Sequence, residues 1–252
     1  MPIDQITALL KKCDTPDTNF PPTDLYNEGW MLRLVLDRLS AHPGIDHDLA
    51  FTSTDKWYAG AILPSAFQAR YSGDILAESR TQADGVIGDF AAGAGRKKDL
   101  SLTRDAARII VTESKLFNEL SSGTRNARYF NQAARNVAGI AELIHRAQIP
   151  PDNFNAIGFY VLAPAEQIQE GVFARHMSPG LMLDVVKKRV AEYQDPEKDK
   201  WLTDWFMPTL QNIGIREIAW EEVINLIMAH DQPFGIQIES FYMKCLEYNR
   251  PD

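Results

Sequence analysis

The stretch ARIIVTESKLF, Ala107–Phe117, decides how the chain is read. Ile109, Ile110, Val111 and Thr112 follow one another, a β-branched run that suits a strand covered on both faces. The run then meets Glu113, Ser114 and Lys115. Side chains alternate along a strand, so Ile109, Val111, Glu113 and Lys115 share one face. A carboxylate and an ammonium therefore close a buried strand, where an unpartnered charge costs on the order of several kcal/mol. Two such side chains extend side by side and are poorly placed to neutralise each other. A divalent cation beside Glu113, with Lys115 turned toward an anionic substrate, satisfies both.

Working outward from that strand, DGVIGDFAA, residues 84–92, begins at an Asp-Gly turn pair and becomes strand-like. This sets Asp84 at the same sheet edge as Glu113 in an antiparallel meander. Asp89 competes as an oxygen donor, but it falls inside the strand with the opposite parity. KWYAGAIL, residues 56–63, supplies a further strand before Pro64. TDLYNEGWMLRLVLDRLSAHPG, residues 23–44, reads as a helix capped by Thr23 or Asp24 and stopped at His42-Pro43-Gly44. On it, Glu28 lies on the stripe of Leu32, Val35 and Leu39, which makes it a third candidate acid.

After Lys115, the stretch 121–148 reads as one long helix ended by Ile149-Pro150-Pro151. Arg125, Arg128, Gln132, Arg135 and Asn136 form a polar stripe on it, free of acids. Phe130, Ala134, Val137, Ala141 and Ile144 form the opposite, apolar one. Arginine forks suit phosphate oxygens. NAIGFYVLA, residues 155–163, is apolar enough for a central strand. Beyond it, 180–193, 199–210, 221–230 and 235–248 read as helices, and GIREIAW, residues 214–220, as a short edge strand. The chain, residues 1–252, is expected to be one domain: a core over 24–163 and an appended, mostly helical layer over 164–252.

Net charge is −8, yet residues 96–146 carry ten Lys/Arg against five Asp/Glu, a local excess of +5 on a body of −13. That basic patch, with Arg96, Lys97 and Lys98 in a Gly-rich loop, is compatible with phosphate contacts. No run approaches the roughly 18 apolar residues that span a bilayer, so no membrane association is expected. The start shows no basic segment followed by an apolar one, hence no secretory leader. Cys13 and Cys245 are isolated, which points to a reducing, cytoplasmic setting. His42, His47, His145, His176 and His230 follow no zinc-ligand spacing. The aromatic clusters Trp57-Tyr58 and Trp201/Trp205/Phe206 read as core or partner-facing surface.

Taken together, Asp84, ESK at 113–115 on a buried strand and Gln132 on the following helix resemble the PD-(D/E)xK nuclease superfamily. The α-β-β-β-α-β order is similar to its restriction-endonuclease-like core, over roughly residues 24–163. Ala83 stands where the naming proline falls. Gln132 is followed four residues on by Asn136 rather than the tyrosine of some members. The resemblance implies an α/β fold with a mixed central sheet flanked by helices. It also implies hydrolysis of a nucleic-acid phosphodiester, DNA foremost, with Mg²⁺ or Mn²⁺. Asp84, Glu113, the Ser114 carbonyl and Glu28 would then face the metal. Lys115 would position the attacking water, Gln132 would orient the cluster, and Arg125, Arg128 and Arg135 would meet phosphates. A homodimer is compatible with this reading. The alternative is a catalytically silent module of the same fold within a larger assembly.

Overall fold

The computed structural model describes residues 2–16, 18–78, 81–93, 99–124 and 126–251. Its strands are β1 (Lys56–Leu63), β2 (Thr81–Gly88), β3 (Phe90–Ala92), β4 (Leu100–Leu102), β5 (Arg108–Ser114), β6 (Ala156–Ala163) and β7 (Ile213–Ala219). The helices are α1 (Pro2–Leu10), α2 (Glu28–Ser40), α3 (Gln132–Ala147), α4 (Ala165–Gln169), α5 (Pro179–Tyr193), α6 (Pro196–Trp201), α7 (Met207–Asn212), α8 (Trp220–His230) and α9 (Gln232–Asn249). A single π turn, Leu202–Phe206, joins α6 to α7.

Five strands form one mixed sheet in the order β1-β2-β5-β6-β7. β1, β2 and β5 run antiparallel, whereas β5, β6 and β7 run parallel. The β5–β6 connection is a crossover carrying α3, as a parallel pair requires. β3 and β4 pair separately, inserted between β2 and β5. Where the chain leaves the sheet, Asp89 accepts from the backbone N–H groups of Ala107 and Arg108 at 3.0 and 3.1 Å. Its carboxylate is thereby committed to holding the insertion.

The alternation set out for residues 109–115 appears in the packing. Ile109 and Val111 join Val86, Val161, Val137 and Ile144 on the face covered by α3 and α5. Ile110 and Ile87 join Leu32, Val35, Leu36, Trp220 and Ile224 on the face covered by α2, α8 and α9. Each fully buried aliphatic side chain contributes roughly 1.5–3 kcal/mol. That burial anchors the strand whose tip carries Glu113. β7 is the parallel edge strand, and α8 and α9 cover the second face, so residues beyond 164 complete both the sheet and its core.

Three local expectations change. The cap of α2 is Asn27, whose side chain accepts from Trp30 N–H at 3.0 Å, because a 3₁₀ turn over Pro22–Asp24 removes Thr23 and Asp24 from that role. Asp84 and Gly85 lie inside β2, not in a turn. Gly85 is required by crowding: a Cβ there would stand 2.5 Å from Thr112 Oγ1 and about 3 Å from Leu32 and Leu36. Finally, α3 begins at Gln132 rather than near residue 121. The Ser-Ser-Gly-Thr run before it keeps an irregular path, with Thr124 and Ala127 bonded to each other across a turn.

Candidate active site

The β2–β5 register pairs Gly85 with Thr112, which sets Asp84 across from Glu113 at the end of the ladder. Glu113 faces α3, whose side chains reach it, and Asp84 stands close enough for its charge to be felt there. Asp84 is half-buried. Its Oδ2 accepts from Ser114 N–H at 2.9 Å and from Ser114 Oγ at 3.0 Å. Ser114 thus meets Asp84 through its amide and hydroxyl, and these bonds fix the carboxylate beside the strand tip.

Glu113 is 1% exposed. Asn131 caps α3 by accepting from Ala134 N–H at 2.9 Å, and this first turn aims two amides at the acid. Gln132 Nε2 donates to Glu113 Oε2 at 2.6 Å, and Asn136 Nδ2 donates to Oε1 at 2.8 Å. Positions four apart share a helix face, so one turn of α3 grips both oxygens. Gln132 is itself held from the other side, where Ser121 N–H donates to its Oε1 at 3.0 Å. Lys115 Nζ stands 3.6 Å from Glu113 Oε2, with 13% of its side chain exposed. The two side chains of the motif do approach, against the expectation from strand geometry, because Lys115 lies just beyond the last residue of β5. The Lys115 backbone is pinned: its N–H donates to Leu162 O at 2.8 Å, and its carbonyl accepts from Trp220 Nε1 at 2.9 Å.

Burial pushes the Glu113 carboxyl up to about 8, and the Asp84 charge adds to this; Lys115 and Asn136 pull the other way. Two acids thus share one buried corner with an excess of negative charge when both ionise. Arg135, also on α3, donates to Ser121 Oγ at 2.8 Å. Burial lowers its pKa, opposed by the charges of Glu78 and Glu113. Glu78 is the acid that the sequence reading missed. Burial raises it to about 7, and its partners are Ser65 Oγ at 3.1 Å and the buried Arg189, Nε to Oε1 at 3.8 Å. It stands alone before β2 with no motif around it, so nothing in the sequence marks it. Asn136 was legible only as part of the polar stripe. It is fully buried, and its Oδ1 has no hydrogen-bond partner.

Glu28 does not join these groups. It opens α2, on the opposite face of the sheet, with the Cys245 thiol feeling its charge. A helix stripe read alone does not tell which sheet face it will meet. Among the described residues no cluster of three or more His, Cys, Asp or Glu forms. Arg128 is exposed in the segment ahead of α3 and so leaves the helical stripe. Arg125, Arg96, Lys97 and Lys98 lie outside the described residues. Cys13 and Cys245 are buried free thiols, and among the described residues no helix is long and apolar enough to cross a membrane.

Comparison with known proteins adds no relative: no family model, curated protein or solved structure matches the chain.

Proposed function

We propose that the chain is a metal-dependent nuclease of the PD-(D/E)xK type, built on a restriction-endonuclease-like core and cutting DNA. The observation that carries this reading is the convergence of Asp84, Glu113, Lys115 and Gln132 at one strand tip. The donor set fits a hard cation. The amides and Ser114 occupy part of the carboxylate lone pairs, and two ionised carboxylates retain further acceptor sites. Mg²⁺ is commonly held by one or two carboxylates with waters, so two acids suffice. When bound, the ion would polarise the scissile phosphate and acidify a water. Glu113 and Asp84 would hold it; Gln132 and Asn136 keep Glu113 in one rotamer. Lys115 would meet the negative charge that develops on the phosphate, and Arg135 and Arg128 would meet backbone phosphates. A cytoplasmic setting accompanies the reading.

The test is cleavage. Purified protein with Mg²⁺ or Mn²⁺ is expected to cut DNA, and Glu113→Ala or Lys115→Ala to lower the rate by about 10² or more while the chain stays folded. Full activity in both variants would refute the assignment. A second reading, a silent module of the same fold, draws on one observation: a neutral Glu113 bonded to two side-chain amides is stable without any cation. Calorimetry separates the two. Mg²⁺ binding that is lost in Asp84→Asn supports the nuclease, and no heat of binding supports the module.

A further inference from the structure

We propose that the chain forms a two-fold dimer in which α1 of each copy docks into a groove along α9 of the other. The inference does not depend on the nuclease reading.

The docking element is visible in α1. It is a nine-residue helix with no buried residue. Ile3, Ile6 and Leu9 are 71%, 54% and 46% exposed. At about 1.5 Å per residue the helix offers an apolar stripe some two turns long, and Lys11 and Lys12 follow it directly. Such a stripe on a short helix gains nothing in water, since an isolated helix of this length is marginal without packing.

The receiving surface lies along α9. Leu116, Phe117, Pro164, Tyr242, Met243 and Leu246 line a groove of about 660 Å³. Its rim carries Glu166, Glu170 and Glu247 against one cation, Arg250. Glu221 also lines it, but that carboxylate is engaged by Tyr242 Oη at 2.7 Å and by Ala165 N–H at 2.9 Å. The acidic rim repels a phosphate backbone and favours a segment that is apolar with a basic end. α1 followed by Lys11-Lys12 has that chemistry. The match continues along α9: Ile236 and Met243 are 54% and 59% exposed, two turns apart, and face outward. α1 also starts from the right place. Asp14 is bonded to Lys244 of α9, and Cys13 is fully buried, so the helix leaves the body beside the α9 surface. A two-fold axis there brings both α9 faces together and lets the α1 helices exchange reciprocally, as an isologous contact requires.

The experiment is sedimentation of the full chain at micromolar concentration across a dilution series. A species of twice 28.4 kDa is expected. Ile6→Glu, on a helix that buries nothing, leaves the fold intact and is expected to give monomer, as is Met243→Glu. Mixing a copy bearing Ile6→Cys with one bearing Met243→Cys is expected to give a mixed disulfide absent from either alone. A monomer at every concentration overturns the proposal. So does a dimer that survives Ile6→Glu, or a cross-link that forms within one chain carrying both cysteines.

Discussion

Glu113 concentrates the chemistry at the scale of a single residue. Its carboxyl titrates near 8 in the fold and near 4.5 when unfolded, with burial the first cause and Asp84 the second. The folded chain therefore binds the extra proton. The resulting stabilisation is complete below the unfolded value and is lost as pH rises through the folded one. Glu78, raised to about 7, acts with the same sign, so the informative quantity is the difference between variant and parent. Glu113→Gln keeps the shape and removes the titration. It is expected to flatten the stability profile between about pH 5 and pH 8, and to gain on the order of a few kcal/mol at the upper end relative to the lower. Denaturant titrations at three pH values read this, and parallel profiles for variant and parent would show that Glu113 is ionised throughout. Glu113 and Lys115 were legible because a buried strand that ends in charge is visible in the alternation alone, and Gln132 through the family resemblance of the helix that follows. Asn136 was not, since a polar residue beside arginines on a helix looks like a wet face until the partner strand is placed.

The element that sets the site is the first turn of α3. Asn131 accepts from Ala134 N–H, and the next residue, Gln132, reaches Glu113. Asn131→Ala is expected to cost about 1 kcal/mol, and also to lower cleavage by more than that loss of fold explains, since Gln132 then loses its fixed start. A melting curve alongside a rate measurement checks it. Lower stability with an unchanged rate would mean that Gln132 only packs. The strands of the sheet were readable from period-two patterning and β-branched runs. The start of α3 was misread because Arg125, Arg128, Gln132 and Arg135 happen to recur at three and four. The turn formers Ser121, Ser122, Gly123 and Thr124 were the stronger local signal. A Cβ on Gly123 would lie 2.2 Å from the Arg128 carbonyl, which shows how tightly that path folds on itself. Likewise Asp-Gly at 84–85 marks a strand under a helix, because Leu32 and Leu36 press on the missing side chain.

For the whole molecule, the second face of the sheet keeps only α2 as cover without the C-terminal third. Ile87, Ile110, Tyr160 and Leu162 pack with Trp220, Val223, Ile238 and Tyr242. A chain cut after residue 163 is expected to lose cooperative unfolding and to expose apolar surface, seen as dye binding and a broad thermal transition. A sharp transition in the truncated chain would show that the α-β-β-β-α-β segment folds alone. The sequence separated 164–252 as an addition because the α-β-β-β-α-β order that resembles the nuclease core ends near residue 163. Which sheet face a stripe will meet is decided by long-range packing that no window of residues contains. The same limit left Glu28 on the wrong side of the sheet.

Trp220 is fully buried, and its indole N–H is bonded to the carbonyl of Lys115. The chain thus carries an inbuilt optical gauge one peptide away from the ammonium at the strand tip. Movement of that tip alters the field around the ring, so in a variant whose other four tryptophans are replaced by phenylalanine its emission reports what happens at the corner.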